Sequence, residues 1–275
     1  MERIRQAVER ARGSTASAEE RTAEIADPAP HQSKANGRDP GGPGTRAQEW
    51  LLVGRRLDSK RIIAYDTADP RSKSFDMVRT QVLQSMDKAG WRFLAVTSPT
   101  SGCGTTLTAI NLALSIGRQP ERAVLLVDLN LQKPDVADCL GIKCDRALLN
   151  VMAGRATLQD VVIEARIANS RVLVLPSEWA VRSSSDVITS QRMTALLQEI
   201  KTSYPASTVI FDLPPVLPTD EVISILPHMD CVVLVIALHK TTAFELRACN
   251  RYLHRADVVR VIVNKITNGR AERYY

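Results

Sequence analysis

Two glycines, Gly102 and Gly104, sit inside the run TSPTSGCGTTLTAINLA at positions 97–113. They follow the apolar WRFLAV, which reads as a buried strand, and they precede a helical pattern that begins near Thr105. Glycines at such a junction let backbone amides point at phosphate oxygens, and the helix adds the positive end of its dipole. Thr106 follows with the hydroxyl that phosphate loops use to hold magnesium. The strict pattern G-x-x-x-x-G-K-[ST] is broken twice, because Pro99 takes the place of the first glycine and Thr105 that of the lysine. A tight strand-to-helix turn would use similar glycines without any ligand, so the loop alone does not decide the matter.

Two further runs supply carboxylates. VLLVDLNLQKPDV places Asp128 and Asn130 at the end of one expected strand, and VIFDLPPVLPTD places Asp212 at the end of another. Strand-terminal carboxylates beside a glycine loop can coordinate magnesium through water and orient an attacking hydroxyl. The expected site therefore has Ser101, Gly102, Cys103, Gly104, Thr105, Thr106 and Leu107 around the nucleotide. Thr106, Asp128 and Asp212 would hold the metal, and the two aspartates would carry any catalysis. A charge-assisted contact to phosphate is worth ~1.5–3 kcal/mol, whereas preorganised charge often contributes ~10²–10³ in rate. Loss of the lysine should therefore harm turnover more than binding. Lys133 lies close to Asp128 in sequence and could serve as a surrogate cation, though it also suits an ordinary surface lysine at a turn. Cys103 could be a thiol activated by the loop amides, or simply a small residue the loop tolerates.

These residues need a frame that brings strand ends together. The runs FLAVTS, AVLLVDL, VLVLPS, STVIFDL, CVVLVIAL and VVRVIVN alternate with helical patterns at 73–89, 105–118, 186–203, 219–227 and 241–255. The runs are continuously apolar, as strands buried on both faces must be. That is an α/β fold, a doubly wound and mostly parallel sheet, which gathers ligands at the carboxyl ends of its strands. The folded domain is expected over 56–275 and a disordered, breaker-rich linker over 13–55. Residues 1–12, MERIRQAVERAR, form a short amphipathic pattern that suits a surface helix or a small docking helix.

Composition narrows the function classes. The formal charge is +6 over 275 residues with charges of both signs interspersed, and aromatics are 4%, so a nucleic-acid stacking surface is not expected. Five cysteines without a CxxC pair point to a reducing compartment, with Cys139, Cys231 and Cys249 in the core. The longest apolar run is far short of the ~20 residues that cross a bilayer, so no direct membrane span is expected and the protein should be cytoplasmic. The four histidines are scattered, leaving magnesium as the only metal expected.

Residues 60–275 resemble the bacterial tyrosine autokinases of capsule and exopolysaccharide export, relatives of the MinD-type P-loop ATPases. TSPTSGCGTTLTAINLA, DLNLQKP and FDLPPVL stand in the order and at the separations of that family's three nucleotide motifs. The resemblance implies a MinD-like P-loop NTPase fold, ATP and Mg2+ as cofactors, and autophosphorylation on the C-terminal tyrosines Tyr274 and Tyr275. It also implies a separate membrane-embedded polysaccharide co-polymerase or chain-length protein as partner, recruitment to the inner face of the membrane, and a homo-oligomer. Asn264 and Lys265 fall where related proteins contact the base, and Thr267 replaces the aspartate a guanine site would need, which favours adenine.

Several positions depart from the family. Thr105 replaces the loop lysine, Asn130 an aspartate and Gln132 an arginine, and Lys73 and Asp76 leave only Arg79 of the oligomer-forming E-x-x-R-x-x-R. The alternatives are a pseudokinase adaptor of the same export machinery, or a MinD-like positioning ATPase, whose signature lysine is absent at Thr100.

Overall fold

The computed structural model of the chain describes residues 47–253 and 256–266. The helical pattern at 1–12, the linker as far as 46, Thr267, Tyr274 and Tyr275 lie outside them. Eight strands form one sheet: β1 (Gln48–Leu51), β2 (Phe93–Thr97), β3 (Ala123–Asp128), β4 (Ile163–Ile167), β5 (Ser170–Leu175), β6 (Ser207–Asp212), β7 (Cys231–Ala237) and β8 (Asp257–Asn264). Their spatial order is β1-β4-β5-β3-β6-β2-β7-β8. Every neighbouring pair is parallel except β4 with β5, so the sheet is doubly wound and mostly parallel as expected.

The continuously apolar runs arise because alternate residues feed two separate cores. On β2, Phe93 and Ala95 enter one cluster while Leu94 and Val96 enter the other; Val209 and Phe211 of β6 part from Ile210 in the same way. With period-two side chains and helices on both faces, the middle of each of these strands is apolar and polar residues such as Thr97 and Asp212 fall at the ends. The first face is covered by α1 (Gly54–Ser59), α2 (Ser72–Ala89), α3 (Thr105–Gly117) and α4 (Val136–Leu140). The second is covered by α5 (Leu148–Met152), α6 (Leu158–Val161), α7 (Ser184–Ile188), α8 (Gln191–Ser203), α9 (Glu221–Ile225) and α10 (Ala243–Leu253). The rings of Phe93 and Phe211 pack tilted with centroids 5.0 Å apart.

The domain begins earlier than the expected boundary at 56. β1 pairs with β4 from Gln48 to Leu51, and Leu57 of α1 is fully buried. The sequence hid this edge because β4, IEARI, alternates charge with apolar residues and turns antiparallel to β5, so the strand that would recruit β1 was itself overlooked. The pattern at 186–203 divides into α7 and α8. The break falls at Ser190, whose hydroxyl accepts the Met193 amide at 3.2 Å and starts the second helix.

Two polar fixings orient α3, the helix that follows the glycine loop. Asn111 is buried in mid-helix, accepts the amides of Ile63 and Ala64 at 2.8 and 3.0 Å, and donates to Arg61 and Leu107 carbonyls. It thereby holds the 61–64 segment across the helix. At the far end, the carboxylate of Asp76 on α2 accepts from Ser115 at 2.7 Å and from Arg118 and Arg79.

Candidate functional site

The loop after β2 is held from below by the segment after β6. Thr97 Oγ1 donates to the Pro214 carbonyl at 2.7 Å, and the amides of Val216 and Leu217 donate to the Ser98 and Pro99 carbonyls at 2.8 and 3.1 Å. Within the loop, Thr105 Oγ1 donates to Ser98 Oγ at 3.0 Å, and Ser98 Oγ donates to the Thr100 carbonyl at 2.9 Å. The residue in the lysine position thus ties the loop to its own base.

Gly102 and Gly104 have φ of 73° and 93°, the left-handed region in which side chains are strained. A methyl group on Gly104 would also overlap Asn264 Nδ2, which donates to the Cys103 carbonyl at 2.9 Å. Gly104→Ala should therefore lower stability by about 1–2 kcal/mol and weaken any phosphate ligand. A urea titration and an ADP titration of the same preparation would check both effects.

The expected residues play different parts. Asn264 acts as a brace, since its amide holds Cys103 and its carbonyl oxygen accepts the Lys265 amide at 2.7 Å. Cys103 is fully buried, with its sulfur near Thr100 and Thr241, which makes it a packing residue. Leu107 packs against the first core, leaving only its backbone for a ligand. Ser101 is exposed at the loop tip, and Thr106 lies partly exposed in the first turn of α3. Lys133 is exposed in the turn after Asn130. Burial pushes the Cys139 thiol up to about 11 and those of Cys231 and Cys249 to about 12, consistent with inert core cysteines.

Asp128 and Asp212 stand opposite one another in the β3–β6 register, both fully buried. Their roles differ. Asp128 accepts three backbone amides, from Asn130, Asp135 and Val136, each at 3.2 Å, so it folds the 130–136 segment over the strand ends. Burial pushes its carboxyl up to about 7 against the opposing effect of those amides. Neither oxygen of Asp212 has a hydrogen-bond partner of good geometry, although the Thr106 hydroxyl lies close enough to favour its charge. Burial lifts its carboxyl well above the usual range and the Asp128 charge adds to this, while the Thr106 side chain is near enough to oppose the rise. An unpartnered buried carboxylate costs about 1–3 kcal/mol or more, and a cation is the partner that would remove the cost. Among the described residues no three His, Cys, Asp or Glu side chains converge, so a cation here would complete its shell with water or ligand oxygens.

Some contacts escaped the sequence reading. Gln132 donates to Glu221 Oε1 at 2.9 Å and Ser184 donates to the same oxygen, joining the 130–136 segment to α7 and α9. Lys240 and Thr241, in the turn after β7, reach the loop itself. β7 is the neighbour of β2, so the strand order, had it been known, would have pointed to that turn.

A glycine loop between β2 and α3, with a buried carboxylate ending the adjacent β6, is a plan suited to phosphate at the carboxyl edge of a doubly wound sheet. Residues 91–265 match the AAA domain family, and the chain belongs to it. Within that class its likeness is to the bacterial tyrosine autokinases. "Putative tyrosine-protein kinase EpsB" of Ralstonia solanacearum is 26% identical over 231 residues, which is 84% of this chain and 29% of that protein. The chain thus spans under a third of that relative's length. Tyrosine-protein kinase YwqD of Bacillus subtilis (strain 168) is 28% identical over 190 residues, 68% of this chain and 77% of that one. In fold, the kinase domain of Escherichia coli tyrosine kinase ETK superposes with a TM-score of 0.67 at 20% identity, covering 84% of this chain and 93% of that one. MinD of Pyrococcus horikoshii, complexed with Mg-ADP, gives 0.54 at 23% identity, with 66% and 72% covered. No helix among the described residues is long and apolar enough to cross a membrane.

Proposed function

We propose that this chain is an ATP- and magnesium-binding, tyrosine-kinase-like protein of exopolysaccharide or capsule assembly. The observation that carries the reading is Asp212, fully buried at the edge where the glycine loop opens and without a partner for either oxygen. Asp212 and Thr106 would hold magnesium, while the amides from Ser101 to Thr106 and the start of α3 would receive the phosphates. Magnesium would supply neutralisation of phosphate charge. Asp128 acts by holding the 130–136 segment over the site, and Asn264 by holding the loop closed at Cys103. Adenine as the base rests on Thr267. A separate membrane-embedded co-polymerase or chain-length protein as partner, a homo-oligomer, and a place at the inner face of the membrane belong to the same proposal. So do Tyr274 and Tyr275 as phosphate acceptors.

A second reading, an adaptor that binds nucleotide without turnover, is favoured by one observation: Thr105 is hydrogen-bonded to Ser98 at 3.0 Å and brings no charge to the loop. One experiment separates the two. The chain is incubated with magnesium and γ-labelled ATP beside a Tyr274→Phe/Tyr275→Phe variant, with binding followed by calorimetry. Labelling that disappears in the double variant supports the kinase. Magnesium-dependent binding without label supports the adaptor, and absence of binding overturns both.

A further inference from the structure

We propose that Lys240 supplies, from the turn after β7, the phosphate-facing cation that the loop lacks at Thr105. The inference rests on the nucleotide reading above and adds the residue that reads the charge of the phosphate chain.

The turn is fixed in place. The amides of Lys240 and Thr241 donate to the Ala237 carbonyl at 3.2 and 2.9 Å, and Thr241 Oγ1 accepts the Ala237 amide at 3.0 Å. Leu238 donates to the Asn264 carbonyl at 2.9 Å, which ties the turn to β8, and His239 takes a φ of 59° to reverse the chain. Thr241 Oγ1 then lies 3.7 Å from the sulfur of Cys103, inside the glycine loop.

From this base the Lys240 side chain extends over the loop, and its ammonium would lie 2.7 Å from a Cβ built on Gly102. A side chain at Gly102 would push the ammonium aside, so the glycine lets the lysine lie close to the loop backbone. No carboxylate pairs with Lys240 among the described residues, which leaves its three N–H donors without an acidic partner beside the loop. Lys133 stands instead in its own turn after Asn130. The unpartnered carboxylate of Asp212 marks the same strand edge as a place for a ligand. A metal-bound di- or triphosphate would answer both charges, placing its cation at Asp212 and its free phosphate oxygens toward Lys240.

The test is calorimetry of Mg-ADP and Mg-ATP binding by the wild-type chain, Lys240→Ala, Lys240→Arg and the double variant Lys240→Ala/Thr105→Lys. Because Lys240 is exposed, its replacement should leave the melting temperature unchanged. Lys240→Ala should weaken both nucleotides about 10- to 100-fold, with Lys240→Arg retaining most of the affinity. The double variant should recover it, because the loop then carries its own lysine. Wild-type binding with Lys240→Ala inside twofold of it would overturn the role of Lys240 alone. Failure of the wild type to bind either nucleotide would overturn the nucleotide reading itself.

Discussion

Asp212→Asn should make the nucleotide-free protein more stable while removing its magnesium-dependent nucleotide binding. The Asp212 carboxyl has a folded pKa raised well above its unfolded value, by burial first and by Asp128 second. Below about pH 4 both states hold the proton and the group contributes no difference. Above that, the unfolded chain releases its proton while the folded chain retains it. Wild-type stability therefore falls as pH rises toward the folded pKa, by about 1.4 kcal/mol per unit. An amide has no proton to lose. In EDTA, urea midpoints of the variant and the wild type should differ least near pH 4 and separate in the variant's favour as the pH rises to 8. Mg-ADP should narrow the gap at pH 8 by stabilising the wild type alone, because a ligand at a hundredfold excess over Kd stabilises its binder by about 2.7 kcal/mol. A variant that is less stable than wild type in EDTA at pH 8 would mean that Asp212 has a structural partner and no need of a cation.

The second large effect is expected far from the phosphate loop. Asp76→Ala should destabilise the domain by about 3 kcal/mol, read from urea denaturation. The Arg118 side chain is only 8% exposed and that of Arg79 16%, and Asp76 is the carboxylate that pairs with both. Nε and Nη1 of Arg118 already lack partners. Removing the acid leaves two largely covered cations beside one another without their shared carboxylate, and loss of one partner is costly where solvent access is small. Asp87→Ala provides the control: Asp87 pairs with Arg122, but its side chain is 51% exposed, and such surface pairs are worth about 0–1 kcal/mol. Equal losses in the two variants would show that the Asp76 cluster is solvated and contributes little. The same cluster explains what became of the expected oligomer motif. Its remaining Arg79 also donates to the Ser115 carbonyl at 3.0 Å, which uses it to bind α2 to α3 within one chain.

The central strands were readable because burial on both faces leaves an unbroken apolar run, a local signal. β1 and β4 were not, because β1 is an edge strand with exposed residues and the pattern of β4 is broken by Arg166 and by Glu164, which is buried only through its pairing with Arg166 and Arg171. The same contrast holds in the site. Glycines at a strand–helix junction and aspartates at strand ends are marked by short-range spacing, so Gly102, Gly104, Asp128 and Asp212 could be named from sequence. Which aspartate is free depended on where the chain folds back. The amides of Asp135 and Val136 return to Asp128 and leave Asp212 bare, a fact of three-dimensional path. Asn264 and Lys240 reach the loop from more than a hundred residues away, and nothing in the local pattern announces it.

The Asn111 contacts also define a path for mechanical force. A pull on the chain ahead of residue 47 would first load β1 in shear along its parallel pairing with β4. If β1 peels away, α1 is next, tied to α4 by Arg56 and Lys60 on Asp138. Past it, the tension arrives at the 61–64 segment and is borne by the Asn111 side chain in the middle of α3. That helix begins at the glycine loop, so a tether at the amino end of the domain would strain that loop before the central strands part.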